Sequence, residues 1–246
     1  MHSDHSGPAN PGNTLPIQVI IMAGGFGTRL LPLTENLPKP MLPVGDQPLL
    51  QRIIEKLRRI GLRRIHIAAY YQPEKIMEYF GDGQSFGVEL EYLLEEQPLG
   101  TAGAIGLMAP LAEPLLIING DTLTSIDYRA MLDFHRRHGA DLTIATHSHT
   151  VQVPYGVLDC DGARVRGMRE KPSVEFCINA GIYVMQPSVQ QLIARGQHLH
   201  MSELIPRLIE ADRVVVGFPF EDYWLDIGQH DHYQQAQTDI QKFESL

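Results

Sequence analysis

A group of phosphate-binding residues lies in one short stretch near the start of the chain. Its glycines allow the backbone to turn sharply and to present N–H groups to an anion. A hydroxyl, a planar guanidinium group and, ten residues further on, an ammonium group can bind the same phosphate oxygens. A turn needs none of these charges, so the stretch predicts a site for a nucleoside triphosphate. The residues concerned are Ala23, Gly24, Gly25, Gly27, Thr28, Arg29 and Lys39.

Two common glycine-rich loops do not fit this stretch. The P-loop pattern G-x-x-x-x-G-K-[ST] is absent after the first apolar run. A dinucleotide-binding pattern that began at Gly25 would need a third glycine at position 30, where the chain has Leu30. That pattern also needs an acidic residue at the end of the second predicted strand, and residues 65–70 contain none. Both kinds of loop are therefore excluded.

Two aspartates further along the chain are candidate metal ligands. Asp121 follows an apolar run that predicts a buried strand, and open α/β sheets bind ligands at the ends of such strands. A carboxylate there can bind Mg²⁺ together with phosphate oxygens, although it can equally close a turn or cap a helix. Asp226 lies between the single tryptophan, Trp224, and Gly228. These residues alone leave both roles open.

The motifs resemble those of the sugar-nucleotide pyrophosphorylases, the nucleotidyltransferases that join a sugar 1-phosphate to a nucleoside triphosphate. The opening motif of that family reads roughly G-G-x-G-T-R-L-x-P-L-T and is followed by P-K-P. Residues 24–34 and 38–40 match it without a gap, and residues 224–228 match the family's W-x-D-I-G string. The chain is most similar to bacterial members of the mannose-1-phosphate guanylyltransferase type.

The resemblance implies a catalytic set and a metal site. Asp121 and Asp226 would hold Mg²⁺, the implied cofactor, and would belong to the catalytic set. Arg29, Lys39 and Lys171 would complete that set by neutralising phosphate charge. The glycine loop would bind the triphosphate.

Other segments resemble the family's base-binding and sugar-binding elements. Residues 96–103 match the base-recognition segment, in which Gln97, Gly100 and Thr101 would contact the nucleotide, and Gly100 would let the backbone approach a planar base. The P-Y-G, E-K-P and N-x-G-x-Y strings match elements that bind the sugar phosphate. With the tryptophan they give the sugar-phosphate set Tyr155, Gly156, Glu170, Lys171, Asn179 and Trp224.

The implied reaction is Mg²⁺-dependent transfer of a nucleoside monophosphate from a nucleoside triphosphate to a sugar 1-phosphate, with release of pyrophosphate. The favoured substrates are GTP and a mannose-type, amino-sugar or heptose 1-phosphate. UTP, CTP or dTTP remain alternatives for the nucleotide. Another phosphorylated alcohol as acceptor, or a nucleotide-sensing module without turnover, are rival interpretations. A homodimer is consistent with the family, but no residue pattern indicates one.

The elements that must position these residues alternate between strands and helices. Strands are predicted at 17–22, 64–70, 88–94 and 115–119, and helices at 47–60, 73–80 and 101–108. This order predicts a Rossmann-like, doubly wound α/β sheet. From residue 141 onward, strands at 141–146, 155–159, 164–170, 177–185 and 213–218 predict mixed-sheet material, with helices at 188–194 and 202–211.

We expect one domain with two lobes. Residues 17–140 would form the nucleotide lobe, 141–228 the sugar-binding lobe and 229–243 a C-terminal helix within a domain of 17–246. Residues 1–16 are polar and rich in glycine and proline, without the basic region and apolar core of a signal peptide, and are expected to be a disordered leader.

Composition narrows the classes of partner. The formal net charge of −9 argues against a nucleic-acid partner, and no apolar run approaches the about 20 residues that cross a membrane. Cys160 and Cys177 are expected to be buried free thiols in a reducing cytoplasm rather than a disulfide. Three histidine pairs, at 147/149, 198/200 and 230/232, have no third ligand nearby in sequence and do not predict a zinc site.

Overall fold

The computed structural model describes residues 15–243, with side chains up to residue 240. The predicted leader therefore lies almost entirely outside the described residues. The strands, in chain order, are β1 (Gln18–Met22), β2 (Pro43–Val44), β3 (Gln47–Pro48), β4 (Arg64–Ala69), β5 (Glu89–Leu94), β6 (Leu115–Asn119), β7 (Thr122–Thr124), β8 (Leu142–Gln152), β9 (Val157–Asp161), β10 (Arg164–Arg169), β11 (Ser173–Met185), β12 (Val215–Pro219) and β13 (Trp224–Asp226).

The helices alternate with the strands in the first half of the chain. The α-helices are α1 (Leu49–Arg59), α2 (Pro73–Phe80), α3 (Gly100–Gly103), α4 (Tyr128–His138), α5 (Pro187–Gln190), α6 (Met201–Glu210) and α7 (His230–Phe243). Short 3₁₀ helices cover Thr28–Leu30, Lys39–Met41, Gln84–Phe86 and Ala104–Leu107.

Seven of the strands form one mixed sheet in the order β12-β8-β11-β6-β1-β4-β5. The central strand β1 pairs in parallel with both β4 and β6, whereas β11 is antiparallel to β6 and β8. The sheet continues through both halves of the chain, since β8, β11 and β12 follow residue 140. The predicted Rossmann-like mixed α/β fold is confirmed.

Apolar side chains cover both faces of the sheet. Val19 and Ile21 of β1 belong to a core cluster with α1, α2, α4 and α7, while Ile20 between them belongs to a second cluster with α3, α5 and α6. This alternation is the period of two expected of a strand with helices on either side. Strands such as β1 and β6 therefore read as continuous apolar runs in the sequence.

The structure contains elements that the sequence patterns did not predict. The helix α4 begins after Asp127, whose carboxylate accepts hydrogen bonds from the Arg129 and Ala130 N–H groups at 2.8 and 3.0 Å. The strand β13 lies in a segment for which no strand is predicted, and it pairs with β7. The predicted helix at 101–108 is one turn of α-helix followed by a 3₁₀ turn, and the helix predicted at 188–194 is the shorter α5.

Residues 147–152 of β8 and residues 173–178 of β11 pair with each other, and the β9–β10 hairpin lies between these two strands in the chain. Most of this region is exposed. Both cysteines lie here as free thiols, so the prediction of no disulfide is confirmed, but both are exposed and the prediction that they are buried is wrong. Cys160 lies in β9 and Cys177 lies in the exposed part of β11.

No helix among residues 15–243 is long and apolar enough to cross a membrane.

Candidate functional site

The glycine loop after β1 is held by contacts that require glycine at two positions. Gly27 has a left-handed backbone with φ of 64°, and its carbonyl accepts a hydrogen bond from Thr34 Oγ1 at 2.8 Å. A Cβ atom on Gly24 would lie 2.9 Å from Glu95 Oε1, whereas one on Gly25 would have no atom within 4 Å. The loop is therefore packed at its ends and open at Gly25.

Strand pairing brings the two predicted metal ligands together. Thr122, directly after Asp121, pairs with Asp226 in the β7–β13 ladder. The Ile227 N–H donates to the Asp121 carbonyl at 2.9 Å. The two aspartates come from positions 105 residues apart but share one short two-stranded sheet.

A buried lysine joins the two carboxylates. Lys39 is only 8% exposed, and its Nζ lies 2.5 Å from Asp121 Oδ2 and 3.9 Å from Asp226 Oδ1. Burial raises the pKa of Asp226, and the negative charge of Asp121 raises it further. The positive charges of Lys39 and Arg29 act in the opposite direction on that pKa. The ionised form of the Asp226 carboxyl group is therefore less favoured than that of an ordinary exposed aspartate.

This pair fits a divalent cation that also binds phosphate. No group of three or more histidine, cysteine, aspartate or glutamate side chains with metal-site geometry occurs in the described part of the chain. Mg²⁺ is typically held by one or two carboxylates, with water and substrate phosphates as its remaining ligands. Asp121 and Asp226 supply two such carboxylates, and a cation would offset the charge that raises the pKa of Asp226.

Two cavities meet at Asp121. The first, of about 370 Å³, is lined by Met22, Gly24, Gly25, Phe26, Glu95, Pro98, Gly100, Thr101, Asn119, Asp121, His198 and His200. The second, of about 320 Å³, is lined by Arg29, Asn119, Asp121, Thr122, Asn179, Ala180, Gly181, Tyr183, Trp224 and Asp226. Asn119 and Asp121 line both, so a group bound in one cavity would adjoin a group bound in the other.

Several predicted residues line these cavities. Gly24, Gly25, Gly100 and Thr101 line the first. Arg29, Asn179, Trp224 and Asp226 line the second, and Asp121 lines both. Ala23, Gly27, Thr28, Lys39 and Gln97 line neither: Ala23 and Lys39 are buried beside the cavities, and Thr28 and Gln97 are exposed.

The predicted sugar-binding residues of the hairpin lie outside both cavities. Tyr155 is 74% exposed, and Glu170 and Lys171 are also exposed. A Cβ atom on Gly156 would lie 3.1 Å from Glu170 Oε2, so the P-Y-G and E-K-P strings adjoin each other. Lys171 has φ of 42°, a left-handed backbone that is costly for a residue with a side chain.

The wall of the second cavity is fixed by side-chain hydrogen bonds. Asn179 Oδ1 accepts from the Gly181 N–H at 3.0 Å, and Asn179 Nδ2 donates to the Tyr183 hydroxyl at 2.8 Å. Trp224 Nε1 donates to the Ala180 carbonyl at 2.9 Å. The register of β11 against β8 shifts between residues 179 and 183, which turns this segment toward the cavity.

Asn119, Glu95, His198 and His200 are among the cavity residues that the sequence motifs do not predict. Asn119 has a buried Oδ1 with no hydrogen-bond partner among the described residues, and it precedes the aspartate that was found. The Glu95 Oε2 atom accepts from the Leu99 N–H at 2.7 Å, and burial raises the pKa of this carboxyl group. The sequence pattern of His198 and His200 relates them only to a zinc site, which it does not predict. Their sequence distance of about a hundred residues from Gly100 and Thr101 gave no sign that they share a cavity.

The glycines of the predicted base-recognition segment pack against another part of the backbone. Gly100, Gly103 and Gly106 are three residues apart, so they lie on one face of a helical turn. Cβ atoms there would lie 2.6, 2.2 and 2.8 Å from the carbonyl oxygens of Leu199, Gln197 and Ala194, respectively. Gly100 also has φ of 77°. Close contact with residues 194–200 therefore accounts for Gly100 without a base.

We expect Gly103→Ala to lower the free energy of unfolding by about 2 kcal/mol, because the new methyl group must displace the Gln197 carbonyl. Urea denaturation measures this change. Gly167→Ala is the matched control, since a Cβ atom there would have only one neighbour, at 3.9 Å. Equal stability of the two variants would contradict the assignment of this contact.

Comparison with known proteins assigns the chain a set of relatives. Residues 18–242 match the family model described as nucleotidyl transferase. The mannose-1-phosphate guanylyltransferase of Mycobacterium tuberculosis is 32% identical over 235 residues, which cover 92% of this chain and 65% of the relative. The mannose-1-phosphate guanyltransferase of Pichia angusta is 36% identical over 221 residues, which cover 85% of this chain and 60% of the relative.

Two solved structures of a similar protein match this chain over almost their whole length. HddC from Yersinia pseudotuberculosis gives a TM-score of 0.72 at 28% identity and covers 91% of this chain and 99% of its own. The structure of HddC complexed with GMP-PN gives a TM-score of 0.72 at 27% identity over the same shares of the two chains. By contrast, this chain spans only about 60 to 65% of the length of the curated relatives.

Proposed function

This chain belongs to the nucleotidyl transferase family, and from that premise we propose that it transfers a nucleoside monophosphate from a nucleoside triphosphate to a sugar 1-phosphate. The products are a nucleoside diphosphate sugar and pyrophosphate. The relatives named mannose-1-phosphate guanylyltransferase support this reaction class.

One observation carries the proposal. Asp121 lies where a cavity lined by the glycine loop meets a second cavity lined by Asn179 and Trp224. A transfer between two substrates requires two adjoining pockets with charge neutralisation at their junction. The junction here holds Asp121, with Lys39 and Asp226 beside it.

The proposed substrates are GTP and a mannose-type 1-phosphate, with an amino-sugar or heptose 1-phosphate as close alternatives. The names of the curated relatives and the HddC complex with GMP-PN support a guanine nucleotide. A UTP-dependent enzyme is the second candidate. CTP and dTTP as nucleotides, and non-sugar phosphorylated alcohols as acceptors, are further alternatives.

The reaction needs no general base, because the nucleophile is an ionised phosphate oxygen of the sugar 1-phosphate. That oxygen attacks the α-phosphorus, and the bond from the α-phosphorus to the oxygen bridging to the β-phosphate breaks in line. Arg29, Thr28 and the loop N–H groups from Ala23 to Gly27 would bind the departing pyrophosphate. Lys39 would neutralise the charge that the reacting phosphate carries.

Asp121 and Asp226 would hold Mg²⁺, which supplies charge neutralisation and alignment of phosphate oxygens when bound. Protonation of these two carboxylates makes metal binding depend on pH. Protonation of the carboxylates competes with metal binding. Because the pKa of Asp226 is raised, metal affinity should begin to decrease at a higher pH, as the pH is lowered, than it would for an ordinary aspartate.

The remaining roles rest on the motif positions. Gln97, Gly100 and Thr101 would contact the nucleotide beside the first cavity. On the sugar side, Lys171 would bind the 1-phosphate. The other residues of that side, which would contact the sugar, are Tyr155, Gly156, Glu170, Asn179 and Trp224. Because the hairpin residues lie outside both cavities, the proposal requires the hairpin to approach the second cavity when sugar phosphate binds.

Two further properties are part of the proposal. We place the reaction in the cytoplasm, where nucleoside triphosphates are available, with no nucleic-acid or membrane partner. A homodimer would cover exposed apolar side chains of the extended region, among them Leu158, Val165 and Phe176. Analytical ultracentrifugation at micromolar concentration would show a single monomeric species if this pairing is wrong.

Initial rates with four nucleoside triphosphates against several sugar 1-phosphates, read by coupled pyrophosphate detection, test the proposal. We expect the highest kcat/KM with GTP and a mannose-type 1-phosphate. Turnover with a phosphorylated non-sugar alcohol alone would overturn the sugar assignment. Nucleotide binding without pyrophosphate release would favour the sensing module instead.

A further inference from the structure

Two histidines flank an anchored backbone segment at the first cavity. His198 and His200 both line the cavity and are exposed, and their rings meet edge to face with centroids 4.9 Å apart. Leu199 between them is buried. Its carbonyl accepts from the Ala102 and Gly103 N–H groups at 2.9 and 3.0 Å, so the backbone that carries both imidazoles is held against α3.

The contacts of His200 define which ring nitrogen carries a proton. The Thr101 backbone N–H points at His200 Nδ1 at an N–N distance of 3.4 Å. A backbone amide can only donate, so Nδ1 accepts and the proton of the neutral ring is on Nε2. The Thr101 contact uses Nδ1, so the Nε2–H on the other side of the ring stays available to a ligand in the cavity.

The main-chain N–H of His200 donates to Glu203 Oε2 at 2.8 Å, and His200 is the N-cap of α6. The same residue therefore has a fixed backbone, an occupied Nδ1 and a free Nε2–H. Such an arrangement presents one donor of fixed direction at the entrance of a cavity that also holds the Glu95 carboxylate.

We propose that His200 discriminates between nucleobases by donating its Nε2–H to a keto oxygen of the base, which favours guanine over adenine. This inference rests on the proposed function. Guanine has the O6 and N7 acceptors on one edge, whereas adenine replaces O6 by an amino donor that would face the imidazole donor. On the opposite edge, guanine N–H groups can donate to a carboxylate, as Glu95 provides.

His200→Asn removes the donor while keeping the local structure. The asparagine Oδ1 occupies the place of Nδ1, so it can accept from Thr101, and asparagine is a favourable N-cap residue. Its side chain is too short to reach the place of Nε2. His200→Gln reaches further and restores a donor. His138→Asn, in an exposed turn of α4 remote from both cavities, is the matched control.

We expect His200→Asn to lower kcat/KM for GTP and for ITP by about 10- to 100-fold, because both have the keto oxygen. The value for ATP should change by less than about threefold, and His200→Gln should recover part of the loss. The ratio of GTP to ATP usage is the decisive readout, since a merely structural role would lower all nucleotides equally. Thermal melting of each variant monitors the fold.

Each other outcome contradicts the inference. An equal loss for all nucleotides assigns His200 a structural role, and an unchanged GTP to ATP ratio removes it from base selection while leaving the proposed function intact. A wild-type preference for an amino base also overturns the inference. Absence of turnover with every nucleoside triphosphate would instead overturn the proposed function, and the inference with it.

Discussion

Asp121→Asn is expected to lower the rate of pyrophosphate release by about 1,000-fold, because it removes one of two carboxylates at the junction of the cavities. The asparagine keeps the shape of the side chain and can still accept a hydrogen bond from Lys39 through Oδ1. Only the charge is lost, so the effect reports charge and metal binding rather than packing. Initial rates at saturating substrates, with Mg²⁺ varied, measure it.

The fold should survive this substitution. Asp121 contributes to the raised pKa of Asp226, so removal of its charge relieves that repulsion, and the Asp226 carboxylate, 3.9 Å from Lys39 Nζ, remains to pair with the buried lysine. Thermal melting should show a melting temperature equal to or above that of the wild type. Asp133→Asn is the control, because Asp133 is exposed on α4 and only pairs with Arg136 at 3.4 Å. Pyrophosphate release near the wild-type rate would remove Asp121 from the mechanism.

Lys56→Met is expected to raise the free energy of unfolding more at neutral pH than at pH 10. The Lys56 ammonium donates to the Thr124 carbonyl at 2.8 Å and lies 4.8 Å from the centre of the Tyr128 ring. Burial lowers the pKa of Lys56 from 10.5 to about 7, and the charges of Asp222 and Asp127 only partly oppose this. At neutral pH and below, the folded protein therefore bears the cost of burying a charge.

The direction of the pH dependence follows from proton binding. Between pH 7 and 10.5 the unfolded chain binds more protons at Lys56 than the folded one, so this group adds stability as pH rises. The stability advantage of Lys56→Met should therefore shrink by about 2 to 4 kcal/mol between pH 7 and pH 10.

Urea denaturation at several pH values measures the difference between variant and wild type. Lys75→Met controls for the loss of a lysine, because the Lys75 ammonium donates to the Asn36 carbonyl in an exposed position. A difference that stays constant with pH for Lys56→Met would show that the ammonium is charged in the folded protein throughout.

Local patterns were sufficient to predict the central strands and the glycine loop. The apolar runs of β1 and β6 reflect burial on both faces, and the loop positions follow from backbone geometry that is encoded within a few residues. The predicted helix at 73–80 agrees with α2, which starts at its proline. These features depend little on distant parts of the chain.

Features that depend on distant contacts could not be predicted. The pairing of β7 with β13 joins residues about a hundred positions apart, and β13 alone has only three residues. The contact between α3 and residues 194–200 gives Gly100 a packing role that its own sequence context does not reveal, because a Cβ atom there would meet the Leu199 carbonyl oxygen. The same contact brings His198 and His200 to the first cavity. In each case the sequence shows the residue but does not show which distant residue it contacts.

The short β7–β13 ladder has a mechanical consequence. Because hydrogen bonds join the segments that carry Asp121 and Asp226, the separation of the two carboxylates should stay constant while other parts of the molecule move. Entry and exit of substrates would then leave the two proposed metal ligands undisturbed. The acidic pair would then stay fixed during the reaction. The exposed β9–β10 hairpin, whose residues lie outside both cavities, would be the part of the molecule that moves.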